Sequence, residues 1–595
     1  MEKPLKENIS TFLDLFSLDN STTDLNFRAT TLSEIFNGMR KLSPSLLLGT
    51  LYETYLNLST AKNHRKIRGI FYTPLEIVEY ILDKTLQVKL NETAVDINLS
   101  LLDPACGIGI FLIAAFQRIS VFLNFRKIPK DKLKHILQRF YGIDIDPFAI
   151  SICKMWFICE LARYYMDPKN PKMTLKEFVP LLSNIHVGNT LKTDLKRTLS
   201  LKPNEGFTIV FGNPPYLAVK RGHFRYEKKV LQESFSLAKG QFDAYELFIE
   251  RAYQVLINKG FLGLILPRRF LTNEKNKLLR QFLLKNFEIY TLAEVGAPFQ
   301  ASVETAILIA MKIQKEIKDQ KSKENQRVEL LPAKEFWSSQ KGRYVPQKLL
   351  KKLPFSIFNV NLDEELYTLI CKISSDAKPL KEWGVTIRRG IEIGKKNPLI
   401  MSKAKKGYQK LLRGEDIHPF AIHFKEKYLL LQPNTSAFKS PTVFASPKIL
   451  VRRVANSLIA AFDEIEEYLT LNTLYNIRLN QTCPFSHEFL VGLLNSRLHN
   501  FWLRHSFAIT EKIFPYIRIS QLAKLPIKFS QKKSSLIESH VKKIIELKRA
   551  TDISKISLTQ LTALYYQIDK VIFQLYEITP QEQGIIKRTE EPHKR

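Results

Sequence analysis

The chain has 595 residues and carries 90 Lys plus Arg against 58 Asp plus Glu, a formal net charge of +32. A hydrophobic content of 45% excludes a wholly disordered chain. Single cores rarely grow past roughly 300 residues, so more than one domain is expected. The cysteines Cys106, Cys153, Cys159, Cys371 and Cys483 form no CxxC pair. That spacing excludes a disulfide scaffold, argues against a thiolate zinc site and fits a reducing, cytoplasmic compartment. The positive excess points to a polyanionic partner, nucleic acid ahead of a membrane surface. The N-terminus, MEKPLKENISTFLDLF, lacks the apolar run of a signal peptide. No stretch reaches about 18 uncharged apolar residues, so no membrane span is expected.

In chain order, residues 1–69 read as an N-terminal helical region, with Ser43 and Pro44 opening the helix of SPSLLLGTLYETYLNLS. In FYTPLEIVEYILDKTL, Thr73 is placed to cap a helix that starts at Pro74, with Leu75, Val78, Ile81 and Leu82 as its apolar stripe. Residues 70–312 alternate short apolar strands with helical stretches, which predicts an α/β domain with a mostly parallel, doubly wound sheet. Residues 313–379 are polar and lysine-rich and read as a linker or peripheral region. Residues 380–530, with strand-like runs such as YLLLQP and KILVRRV, read as a second, mixed α+β domain. Residues 531–595 return to helix, clearest in LTALYYQIDKVIFQLYEI, before a tail.

Three strand ends in the first domain carry polar groups. In LLDPACGIGIFL, Asp103 ends a strand, and Pro104, Ala105 and Gly107 form the loop to a helix. Glycine there lets the backbone approach a ligand closely. The GxGxxG fingerprint is absent, because Pro-Ala-Cys replaces its first glycines, so the loop alone also fits a plain tight turn. The second strand ends at Asp144 in YGIDIDP, where a carboxylate can accept both hydroxyls of a ribose. Asp146, before Pro147, reads as a helix cap. A third edge, HVGNTLKTD, brings Asn189 to the same rim.

The strand FTIVFG is followed by Asn213-Pro214-Pro215-Tyr216. The prolines stiffen the backbone and free carbonyls from the ladder. The Asn213 side-chain oxygen and the Pro214 carbonyl make a rigid fork of two acceptors, suited to a planar NH2 group. Tyr216 supplies a ring to stack on a flat base.

With these motifs the chain resembles the gamma-class N6-adenine DNA methyltransferases of the TaqI type, from about residue 45 to 580. The resemblance implies a Rossmann-like methyltransferase domain using S-adenosylmethionine (SAM). Thr73 would help hold the SAM carboxylate, Asp103 would face its methionine part with Ala105 beside it, and Asp144 would bind its ribose. Ile145 would pack on its adenine. Asn189 stands where the family has an acidic residue, a departure that keeps an acceptor oxygen. GAPFQASVETAILIA resembles the last catalytic motif, which gives Phe299 the role of packing against a flipped base. LLRGEDIHPF, KILVRRVANSLIAAFDE and FPYIRISQLAKLPI resemble the TaqI-type C-terminal specificity domain.

The resemblance implies methyl transfer to adenine N6 in double-stranded DNA within a restriction–modification or related defence system. Partners would be DNA and a separately encoded restriction endonuclease, with the chain a monomer and no metal required. Cytosine-N4 methylation, a bifunctional restriction–modification enzyme and protein or RNA amine methylation remain the alternatives. The basic segment LAVKRGHFRYEKKVLQESFSLAKGQ reads as a loop that can close over the base or touch phosphate. Candidate DNA contacts in the second domain are Arg388, Arg389, Arg413, Arg452, Arg453 and Arg497.

Overall fold

Runs that are apolar on both faces belong in the middle of a sheet covered on both sides. FTIVFG, buried at every position, is such a strand (β4, Phe207–Gly212). In the computed structural model it is central to a nine-stranded sheet. The structure describes residues 73–590, except 93–97, 125–127, 166–178, 193, 200–201, 203–204, 218–224, 298–302, 315–325, 395–396, 431–439, 510–515 and 551–557. The helices expected within residues 1–69 and the Phe299 position lie outside the described residues. Two compact units divide at Lys351 and Lys352.

The sheet of the first unit comprises β1 (Leu101–Asp103), β2 (Phe140–Asp144), β3 (Ile185–Val187), β4, β5 (Leu256–Pro267), β6 (Phe287–Gly296), β7 (Thr305–Lys312), β8 (Arg327–Leu331) and β9 (Arg343–Pro346). Their order is β3-β2-β1-β4-β5-β7-β6-β8-β9. The strands from β3 to β5 run parallel, and β7 inserts antiparallel between β5 and β6. This is the expected doubly wound α/β topology. Chain order reverses between β1 and β4, so a crevice opens at their carboxyl ends, the usual place for a ligand in such sheets.

Helix α1 (Leu75–Lys84) begins one residue later than expected, with Pro74 as its N-cap. Its carbonyl accepts from the N–H groups of Ile77 and Val78. The buried face is Ile77, Val78, Tyr80, Ile81 and Leu82, while Leu75 is exposed, so the stripe is rotated from the expected one. Thr73 makes no cap bond, because its hydroxyl is engaged elsewhere, as described below. Helices α2 (Ile110–Phe122), α3 (Pro147–Tyr165) and α4 (Ala244–Val255) complete the crossovers that position the site.

The sheet does not stop at residue 312. β8 pairs with β6, and β9 pairs with β8, so part of the expected linker is sheet. Val328, Leu330 and Val345 are fully buried there. The lysine-rich composition of the region hides these short apolar runs.

In the second unit, β10 (Val385–Arg389), β11 (Lys448–Arg452), β12 (Ala460–Asp463) and β13 (Leu474–Leu479) form an antiparallel sheet ordered β10-β13-β11-β12. A fully buried ion pair, Lys448 with Asp463, joins β11 to β12. Helices α5 (His487–Leu494), α6 (Arg497–Ser506), α7 (Gln531–Ala550) and α8 (Leu558–Leu575) are among the helices of this unit. The mixed α+β reading of this region holds.

Candidate active site

The rim is assembled from strand ends that bond to one another through the backbone. Cys106 N–H donates to the Ile143 carbonyl at 3.0 Å, which locks the loop after β1 onto β2. The Asp144 carboxylate accepts from Gly107 N–H and Asp146 N–H, both at 2.9 Å. Asp144 therefore ties the glycine loop to its own strand end. Gly188 N–H donates to the Asp144 carbonyl at 2.8 Å, and the Thr190 hydroxyl donates to the Pro104 carbonyl at 2.5 Å. Asp146 accepts from Phe148 N–H at 3.0 Å, the expected cap of α3. Asn189 spends its side-chain oxygen on Leu191 N–H at 3.1 Å.

Two glycines make this packing possible. Gly109, at φ 88°, would carry a Cβ only 2.3 Å from the Cys153 sulfur on α3. Gly212, at φ 146°, would carry one 2.5 Å from an Asp103 carboxylate oxygen. The absence of a side chain at Gly212 thus lets β4 bring Asn213 beside the end of β1.

Asp103 is 1% exposed and accepts from Ala105 N–H at 3.1 Å. Burial pushes its carboxyl up to about 8, and the nearby Asp144 adds to the rise, against the Ala105 bond. Burial also raises Asp144, while the N–H groups of Asp146 and Gly107 oppose it. A buried carboxyl, Asp103, and a half-buried one, Asp144, facing one rim favour a cation. Ile145, the residue after Asp144, is 56% exposed, an apolar surface at the same edge. A Cβ at Gly107 would meet nothing within 4 Å, so the loop faces open space.

Asn213 Nδ2 donates to the Thr73 hydroxyl at 3.2 Å. The bond uses the donor side of the amide and leaves Oδ1 as the acceptor. It also joins the segment before α1 to the end of β4, two regions far apart in sequence. Pro214 is buried and Pro215 and Tyr216 are half-buried. The Tyr216 ring stands edge-on to Tyr245 of α4, 6.4 Å between centroids.

Sequence reasoning missed the group that supports Tyr216. Ala244 N–H donates to the Leu217 carbonyl at 2.8 Å, fixing the chain just after the tetrapeptide. Asn276 Nδ2 donates to the Tyr245 hydroxyl at 2.9 Å and to Glu246 at 3.1 Å. Arg269 pairs with Asp243 at 3.0 Å and lies 5.9 Å from the Tyr245 ring centre. Burial pushes the Glu246 carboxyl up to about 7. The available signal was the capping box: Asp243 and Glu246 stand at the N-cap and third positions of α4. In the basic segment after the tetrapeptide, residues 218–224 lie outside the described residues. Arg225–Ser234 is a helix and not the expected loop, stabilised by its amphipathic pattern.

The six arginines proposed for DNA divide clearly. Arg389 pairs with Glu392, and Arg413 pairs with Glu415 at 3.0 Å. Arg452 donates to the Gly414 carbonyl at 2.7 Å, and Arg453 to the Asn472 carbonyl at 3.2 Å beneath the Tyr516 ring. Arg497 pairs with Asp569 at 3.4 Å. Arg388 is exposed and has no such partner among the described residues.

A model of the Eco57I restriction-modification methylase matches residues 138–300, and a model of the TaqI-like C-terminal specificity domain matches residues 409–527. These two stretches are thus similar to a restriction-modification methylase domain and to a TaqI-like specificity domain. It is 31% identical over 294 residues to the type II restriction enzyme and methyltransferase RM.Eco57I of Escherichia coli, covering 42% of this chain and 29% of that protein. It is 25% identical over 374 residues to the type II methyltransferase M.VspI of Vibrio sp. (strain 343), covering 62% of this chain and 74% of that protein. The chain thus spans 29% of the length of the first relative. The solved structure of the type IIL restriction-modification enzyme MmeI in complex with DNA aligns with a TM-score of 0.51 at 15% identity, covering 87% of this chain and 76% of that one. That likeness is one of fold. Among the described residues no helix is long and apolar enough to cross a membrane.

Proposed function

We propose that this chain is a gamma-class methylase, transferring a methyl group from SAM to the N6 amine of adenine in double-stranded DNA within a restriction–modification system. The observation that carries this reading is the Asn213–Thr73 bond. It holds the amide so that its oxygen, beside the Pro214 carbonyl, offers two acceptors at the carboxyl end of a central strand.

The rim fits SAM. Asp103 suits a cationic methionine portion, Asp144 suits ribose hydroxyls, and exposed Ile145 suits a flat adenine, with Thr73, Pro104, Ala105, Gly107 and Asn189 completing the wall. SAM supplies an electrophilic methyl on a sulfonium centre. The chain's task is to prepare the amine, whose lone pair is shared with the purine ring. Asn213 Oδ1 and the Pro214 carbonyl accept its two N–H groups and favour a pyramidal nitrogen. Pro215 stiffens the fork, and positioning supplies much of the rate. The target amine is inaccessible in stacked duplex, so the base must leave the helix, at a few kcal/mol. Tyr216 and Phe299 return part of that by stacking.

Incubation with labelled SAM and mixed duplex DNA, followed by nucleoside analysis, tests the reading. N6-methyladenine is expected; label only in N4-methylcytosine or only in protein would refute it. The same reading has a cytoplasmic monomer that leaves cleavage to a separate endonuclease. Light scattering and a Mg2+-dependent cleavage assay on unmethylated DNA test those two points.

A further inference from the structure

The exposed face of the β10–β13 pair carries a cavity of about 680 Å³. Arg388, Arg478, Thr386, Asn476, Gln481 and Thr482 are among its lining residues, and no carboxylate lines it. Register explains the grouping. Arg388 stands opposite Asn476, and Thr386 opposite Arg478, so all four side chains share one face. Arg478 is aimed by a bond from one guanidinium nitrogen to the Thr442 carbonyl at 2.7 Å. Arg388 keeps its full fork of donors.

Asn476 is the second observation. It is 1% exposed, and its Nδ2 donates to the Thr470 hydroxyl at 2.8 Å. Its Oδ1 has no partner among the described residues. A buried acceptor without a donor is costly, so such a group marks a place where a donor arrives from outside.

We propose that this cavity reads a G·C pair of the target site through the major groove. The inference rests on the proposed DNA methyltransferase function. A guanine presents O6 and N7 as paired acceptors, which match the planar fork of Arg388. The cytosine of the same pair presents an N4–H donor, which matches Asn476 Oδ1. A donor fork and an acceptor on adjacent strands reproduce the pattern of that one base-pair edge. A backbone phosphate would use the arginines but supply no donor for Asn476.

The test is methylation of a randomised duplex library by the full chain, with sequencing of the modified sites. Wild type, Arg388→Ala, Arg388→Lys and Arg478→Ala are compared, and salt dependence of binding is measured for each. Arg388 is exposed, so its variants should fold. At one G·C position of the motif, Arg388→Ala should lower discrimination by about tenfold or more. Arg388→Lys should relax the same position, because an ammonium keeps the charge but not the fork. Arg478→Ala should weaken the same position less. An unchanged motif with a flatter salt slope, or with Lys restoring wild-type behaviour, would make Arg388 a phosphate contact and overturn the inference. No change in motif, affinity or slope would overturn it as well. If wild type methylates no DNA, the proposed function fails instead, so the two failures are distinct.

Discussion

At the rim around Asn213, the protein's polar groups hold each other. Thr73 orients Asn213, Asp144 ties down Gly107, and Thr190 braces Pro104. On the β10–β13 face of the second unit, Arg388 and Asn476 Oδ1 have no partner within the described protein. Under the proposed function the difference matches two tasks. Chemistry needs groups fixed before the substrate arrives, since reorganisation during the reaction would raise the barrier. Sequence reading needs groups whose bonds are completed by the partner, since a donor already satisfied discriminates nothing.

The sharpest way to break this comparison is Asn213→Ala. Turnover should fall by about 10²–10³, the scale for one lost acceptor or donor in a prepared site. SAM affinity, measured by calorimetry, should stay within a few-fold. Lost affinity with normal turnover at saturating SAM would place Asn213 on the cofactor side. Gly212→Ala comes next, because its Cβ would meet the Asp103 carboxylate at a positive φ. About 2 kcal/mol of stability should be lost in denaturant titrations, together with SAM affinity. A neutral result would mean that the rim has slack.

Asp103 provides a pH test of the same rim. Its folded value of about 8 lies far above the 3.8 of an ordinary Asp carboxyl. Its contribution to folding is therefore full below about pH 4 and is lost as pH rises through 8. Binding of a cationic ligand runs the other way and should strengthen by up to about tenfold per pH unit between 6 and 8. The Asp103→Asn variant should lack both trends. Calorimetric SAM titrations and thermal melts of both proteins across that range decide it; identical pH profiles would exclude Asp103 from cation binding.

Smaller effects sharpen the contrast. Thr73→Val removes one neutral hydrogen bond, about 1 kcal/mol, and should cut kcat several-fold while the protein stays folded. An unchanged kcat would show that Asn213 is oriented without it. Arg452→Ala should cost about 1 kcal/mol of stability through the lost Gly414 bond, with the methylated motif unchanged. A relaxed motif would move Arg452 into the reading surface.

Much of the first unit was legible because its signals are local. Strand ends at Asp103 and Asp144, and the tetrapeptide after β4, follow from apolar runs closed by turn residues. β8 and β9 were not legible, since their short runs sit in lysine-rich surroundings. The start of α1 was misjudged because Thr73 is claimed by Asn213, a bond between segments far apart in the chain. Tyr245, Asn276 and Arg269 carry no local mark of their role beyond the capping box at Asp243.

By itself, then, the sequence determined the α/β topology of the first unit, the strand ends at Asp103 and Asp144, and the positive excess of the whole chain. Periodicity, proline and glycine placement and charge are all carried by neighbouring residues. Only the tertiary structure decided which hydroxyl orients Asn213, why Gly212 can only be small, and which arginine stays open to a partner. Arg388 and Arg389 are adjacent in sequence, yet one pairs with Glu392 and the other faces the cavity. Alternation along a strand sends neighbours to opposite faces, and the partner strand decides what each one meets.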